Sequence, residues 1–278
     1  MKTVIHSLLL LGLLLHQSFA RPDDQSLCRA VEAGSLFRVE SYLKRTPQLI
    51  DVRNDFGWSL LHLAAVRGHL QIAALLIDRG IDVNVEGLRG TTPLHFAVVG
   101  PSLEMVRLLI EHGADVNARD RRGISPLYAA AGGSSEGVVE LLLSKGAEVN
   151  IRTVHGATPL HAVVSAEIAG RLLAAGARVN AVNDHGFSPL HSAARYGHRP
   201  VAELLLHHGA VLDARTIYGW TPLLEAAYGG HRPVVEFLIA RGADVNARTR
   251  GGSTPLKVAR LTGQNDIARL LRRHDGQE

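Results

Sequence analysis

Between Gly186 and Gly219, polar and apolar positions follow two helical rhythms set apart by a glycine. Ser188 can cap a helix, and Pro189 suits its first position, where a missing N–H costs nothing. Leu190, Ala193 and Ala194 give this short helix a small apolar face, and Gly197-His198 ends it. Val201, Leu204, Leu205 and Leu206 then recur at helical spacing, closed by Gly209-Ala210 with a glycine suited to the left-handed C-terminal position. Helices this short are marginal alone. Val211, Asp213, Ala214 and Arg215 lead on as an extended arm with a turn before the next glycine. The pattern predicts helix, turn, helix, arm.

That pattern returns. Its opening phrase is Ser59-Leu60-Leu61-His62, Thr92-Pro93-Leu94-His95, Ser125-Pro126-Leu127-Tyr128, Thr158-Pro159-Leu160-His161, Ser188-Pro189-Leu190-His191, Thr221-Pro222-Leu223-Leu224 and Thr254-Pro255-Leu256-Lys257. The glycine two residues upstream falls at Gly57, Gly90, Gly123, Gly156, Gly186, Gly219 and Gly252, so every step is 33 residues except one of 30. A fixed period of this length means stacked supersecondary units whose broad surface binds something.

Gly90-Thr91-Thr92-Pro93-Leu94-His95-Phe96-Ala97 and Leu108-Leu109-Ile110-Glu111-His112-Gly113-Ala114-Asp115-Val116-Asn117-Ala118 resemble the two signature halves of the ankyrin repeat, and the resemblance runs from about Ser26 to His274. It implies an all-α repeat solenoid of helix-turn-helix units with projecting β-hairpin-like loops. It also implies a concave face that binds proteins through variable surface positions, without catalysis. Solenoid ends need polar caps. The expected layout is a cap over 26–55, repeats from 57, 90, 123, 156, 186 and 219, and a cap from 252. Short segments at 21–25 and 275–278 are expected as linker and tail. In the first cap Cys28 stands where other repeats carry His, which makes it a packed core thiol. The repeat at Gly156 lacks three residues after Ser165-Ala166, predicting a tighter inter-helix turn, and Pro101-Ser102 and Ser134-Ser135 alter the turns of the two repeats before it.

Lys2, the apolar block Leu8 to Leu15 and Ser18-Phe19-Ala20 read as a secretory signal peptide over residues 1–20, too short in its apolar core to span a membrane. Export is therefore expected, to the periplasm if the source is bacterial, with no membrane attachment after cleavage. A lone cysteine leaves an exported fold without an internal disulfide. Lysine is scarce beside arginine, and the net charge of +4, or +3 once Lys2 is removed, is too even for nucleic acid.

Of the 15 histidines, His62, His95, His161 and His191 fall at the repeat histidine position and His69, His198 and His231 follow the inter-helix glycine, while His207-His208 lacks the i, i+4 spacing of a zinc helix. Phosphate loops, Cys-x-x-Cys pairs and nucleophile turns are absent from the sequence, so no enzyme, metal or cofactor is expected. The arms carry the candidate chemistry. Arg53, Arg119, Arg152, Arg215 and Arg248 share one arm position, interrupted by Glu86 and Val182. Near them lie Arg122, His155 and His185, and the aromatics Trp58, Tyr218 and Trp220. Guanidinium groups at registered spacing can pair with carboxylates, and aromatics serve as interface anchors. A monomeric module binding an acidic protein is the leading expectation, and a secreted effector engaging a host protein is the alternative.

Overall fold

The structure, a computed structural model, describes residues 22–133 and 135–278. The signal-peptide expectation and Ser134 lie outside the described residues. Sixteen α-helices come in eight pairs, with no named strand among the described residues and one isolated antiparallel bridge, Arg53 to Ser59. The chain divides after Glu148 into two compact bodies.

The first body holds α1 (Pro22–Glu32), α2 (Leu36–Arg45), a 3₁₀ turn (Pro47–Asp51), α3 (Leu60–Arg67), α4 (Leu70–Asp78), α5 (Pro93–Ala97), α6 (Leu103–Glu111), α7 (Pro126–Ala131) and α8 (Glu136–Ser144). The second holds α9 (Pro159–Ala162), α10 (Ala166–Ala174), α11 (Pro189–Arg195), α12 (Arg199–His207), α13 (Pro222–Gly229), α14 (Arg232–Ala240), α15 (Pro255–Leu261) and α16 (Asn265–Arg273). Within each body the odd-numbered helices pack on one another and the even-numbered ones likewise, forming two layers. The odd layer is rich in Ala, which lets neighbours come close: Ala193, Ala194, Ala226 and Ala227 are all buried. The even layer contributes leucines such as Leu205 and Leu238, both fully buried. Each such side chain adds roughly 1.5–3 kcal/mol of hydrophobic stabilisation.

Gly197 illustrates why the inter-helix turn needs glycine. Its φ is +76°, and a Cβ there would fall 2.5 Å from Nδ1 of His231. The imidazole of the following repeat lies across that bare backbone, and its Nε2 donates to the Arg195 carbonyl at 2.9 Å. His69 covers Gly34 in the same way and donates to the Glu32 carbonyl.

Three expectations are corrected. The segment 21–25 is not a linker beyond its first residue, because α1 starts at Pro22 with Asp23 and Asp24 in its first turn, where acidic groups favour the helix dipole. In the repeat at Gly156 the turn is not tightened. Three residues still separate α9 from α10, and the deletion is taken from α9, four residues long against seven for α11, because Val163 turns extended (φ −62°, ψ 140°). Finally, 275–278 is docked rather than a loose tail. Asn246 Nδ2 donates to the Asp275 carbonyl at 3.1 Å, its Oδ1 accepts from Gln277 N at 2.7 Å, and Arg260 pairs with Glu278.

Candidate partner-binding surface

The helix starts are built by the Ser/Thr-Pro-Leu-His phrase. In His62 and His191 the ring Nδ1 accepts from the backbone N–H of Ser59 or Ser188, while the serine Oγ accepts from the histidine N–H, a capping box with imidazole in the place of glutamate. The other ring nitrogen donates 29 residues ahead, His62 to the Thr91 carbonyl (2.8 Å) and His191 to that of Trp220 (3.1 Å). These bonds assign the neutral Nε2–H tautomer. Burial pushes the pKa of His62 and His191 down to about 4, and lowers those of His95 and His161, which make the same bonds. Cys28, in the equivalent place, is buried, and desolvation raises its pKa to about 12. It is an inert thiol.

The arms are held by two sets of main-chain bonds. At most tips, Gly87 excepted, a side chain caps the hairpin: Asn54 Oδ1 accepts from Phe56 and Trp58 N, Asp120 from Arg122 and Ile124 N, and Asn183 from His185 and Phe187 N. Between arms, Asn84 donates to the Gly113 carbonyl and accepts from Asp115 N, and Asn117 reaches Gly146 and Glu148 likewise. Asn150 and Asn180 repeat this in the second body. Asp213 replaces this asparagine. It accepts from Asp244 N but has no N–H to give, and burial raises its pKa.

On this frame the arm arginines act as staples. Arg53 donates to its own hairpin at Gly57 O and to Glu86 O of the next arm, Arg215 to Arg248 O, and Arg248 to Gly252 O and Glu278 O. Arg152 lies 3.7 Å from Asp184 across two exposed side chains. Arg119 and Arg122 are exposed on one arm. In the second body the tips join in a row through backbone bonds, Asp184 N to His155 O, Ile217 N to His185 O and Arg250 N to Tyr218 O. His155, His185 and Tyr218 are thereby brought together as exposed groups. The two tryptophans are placed differently. Trp58 packs edge-on to Phe96 at 4.6 Å, and Trp220 rests on the buried cluster Leu224, Ala247 and Val258, so each is half-buried.

Sequence reasoning missed a second group in the second body. Glu225 is buried, its pKa raised by desolvation, yet it accepts from Arg195 at 2.7 Å. The same guanidinium lies 5.0 Å over the ring of Tyr228, which meets Trp220 edge-on. The signal available was an acidic residue in the middle of an otherwise apolar helix, Leu223-Leu224-Glu225-Ala226-Ala227. Between two arms of this body Asn150, Arg152, Arg178, Asn180 and Val182 line a groove of about 490 Å³. Val182, which holds the position of an arm arginine, is among its lining residues. Among the described residues no group of three or more His, Cys, Asp or Glu side chains could hold a metal ion, and no helix is long and apolar enough to cross a membrane.

A family model for ankyrin repeats matches residues 27–120, 126–216 and 210–278. The chain is an ankyrin-repeat protein. Two curated relatives share 34% identity with it: the mouse 2-5A-dependent ribonuclease over 71 residues, 26% of this chain and 10% of that one, and the Drosophila yakuba NF-kappa-B inhibitor cactus over 80 residues, 28% and 15%. The chain thus spans a small part of the length of either. Ankyrin repeats are in general protein–protein interaction modules without catalytic activity, and the ribonuclease match, confined to a tenth of that protein, carries no nuclease chemistry across.

Proposed function

We propose that this ankyrin-repeat protein is an exported, monomeric binding module that holds an acidic protein partner on its arms. The observation that carries the reading is the anchoring of the arm guanidiniums to main-chain carbonyls. Arg215 spends one of its five N–H donors on the neighbouring arm, and Arg248 spends two, on its own hairpin and on the Glu278 carbonyl. A cation already fixed in place loses less freedom on binding, which favours carboxylate pairing over a loose surface charge. The row His155, His185 and Tyr218 adds polar and aromatic contact beside it.

The test is capture of partner from the native source, followed by measured affinity. Reversing Arg215 and Arg248 together to glutamate should weaken binding roughly thirtyfold or more, as for loss of a desolvated pair, and parent binding should fall with salt. Arg199→Glu, at the start of α12, should leave it unchanged. Equal affinity of the double variant and the parent, at matched folding, would refute the arm reading. Export is tested separately by sequencing the mature N-terminus in a bacterial host. Cleavage before Arg21 is the expected result, and retention of Met1 the contrary one.

A further inference from the structure

The first body carries a second basic surface, away from the arms. Ser26 and Arg29 lie on one stripe of α1, three residues apart, and Arg38, Ser41, Tyr42 and Arg45 recur at i, i+3, i+4 and i+7 on α2. The two stripes line a groove of about 380 Å³, with Phe37 at its rim. The core residues Leu27, Val31, Val39 and Leu43 occupy the other faces of the same helices.

Asp23 and Glu32 continue the three-residue spacing of Ser26 and Arg29 along α1, but neither lines the groove, and Glu40 sits some 200° around α2 from Arg38 by helical geometry. The charged groups that do line it are the guanidiniums of Arg29, Arg38 and Arg45. Arg45 is held over the Tyr42 ring at 5.3 Å and donates to the Ser41 carbonyl. Phe37 is 81% exposed, a large apolar area left in water beside the arginines.

From these features we infer a binding site for a phosphate monoester attached to a flat apolar body. Three guanidiniums line one groove, and a single carboxylate neutralises only one of them. A phosphate monoester brings close to two charges and three strong acceptor oxygens, enough to take donors from Arg29, Arg38 and Arg45 at once. The Ser41 hydroxyl supplies a further donor, and the rings of Phe37 and Tyr42 receive the apolar body. Solvation of a repeat end asks only for polar residues of either sign, and does not account for a bare phenyl ring at the rim.

Titration calorimetry of the full chain with phenyl phosphate, inorganic phosphate and benzoate tests the assignment. Phenyl phosphate should bind saturably, at least fivefold tighter than phosphate and tighter than benzoate. Arg38→Gln should weaken it at least tenfold, and Phe37→Ala should remove its advantage over phosphate, with the unfolding midpoint unchanged in both. No saturable binding by the parent, unaltered binding by Arg38→Gln, or benzoate matching phenyl phosphate would overturn the proposal. The last outcome would reassign the groove to a carboxylate.

Discussion

The repeats beginning at Gly186 and Gly219 are neighbours in the second body and solve one problem in two ways. Each must fix the arm that follows to the helix that opens it. His191 does so with hydrogen bonds from both ring nitrogens, inside a buried site. In the next repeat Leu224 stands at the same position, Thr221 caps the helix unaided, and Trp220, Ala247 and Val258 pack around the leucine. One joint is polar and titratable, and the other is apolar and indifferent to protons. The leucine frame beneath them is the same, so the joint can be exchanged without altering the period.

The largest test removes what the two repeats share. Leu205→Ala and Leu238→Ala each empty a fully buried site in equivalent outer helices, and each should cost roughly 2–5 kcal/mol in chemical denaturation. Clearly unequal losses would show that the joint, not the frame, dominates local stability.

Acid distinguishes the joints next. The folded pKa of His191, about 4, lies below its unfolded value of about 6.5, so as pH falls the unfolded chain takes up the proton first. Its contribution is complete above about pH 6.5 and is lost progressively toward pH 4, by about 3 kcal/mol for one ring. A proton on Nδ1 would also face the Ser188 N–H that now donates to it. His191→Leu, copying Leu224, should flatten this part of the stability–pH curve, measured by denaturant midpoints from pH 7 to 4. An unchanged slope would remove His191 as the sensitive joint.

Smaller effects sharpen the comparison at the arms. Asp213→Asn restores the amide present at Asn180, supplies a donor for the Gly242 carbonyl and relieves the charge beside Asp244. Stability at neutral pH should rise by about 1 kcal/mol. Arg215→Gln removes one exposed staple and should cost less than about 1 kcal/mol.

The helix pairs are legible because most units announce themselves: a capping Ser or Thr, proline at the first position (leucine in the repeat at Gly57), and glycine after the last turn are local signals with local causes. The Gly156 repeat shows where locality ends. A three-residue deletion gives its place in the chain, but whether helix or turn absorbs it depends on Val163 leaving the helical region, which neighbours decide. The arm position of Arg53, Arg119, Arg152, Arg215 and Arg248 is readable as a series, yet the next-arm carbonyls that receive Arg53 and Arg215 lie 33 residues away and exist as targets only once the arms are side by side. Trp58 and Trp220 looked like anchors because sequence does not tell a half-buried ring from an open one. Residues 275–278 looked idle because nothing in Asp275-Gly276-Gln277-Glu278 signals that Asn246 awaits it.

The asparagine bonds between arms end on main-chain atoms alone: Asn84 on Gly113 O and Asp115 N, Asn180 on Gly209 O and Val211 N. Because every non-proline residue offers the same N–H and C=O, such a bond cannot distinguish one side chain from another at the receiving site. At the amide that completes each bond, Asp115 in one arm and Val211 in another, the outward group is thereby uncoupled from the joint, while the carbonyl side stays a glycine held at positive φ. The outward groups of these arms can change one substitution at a time without disturbing the bonds that hold the arms together.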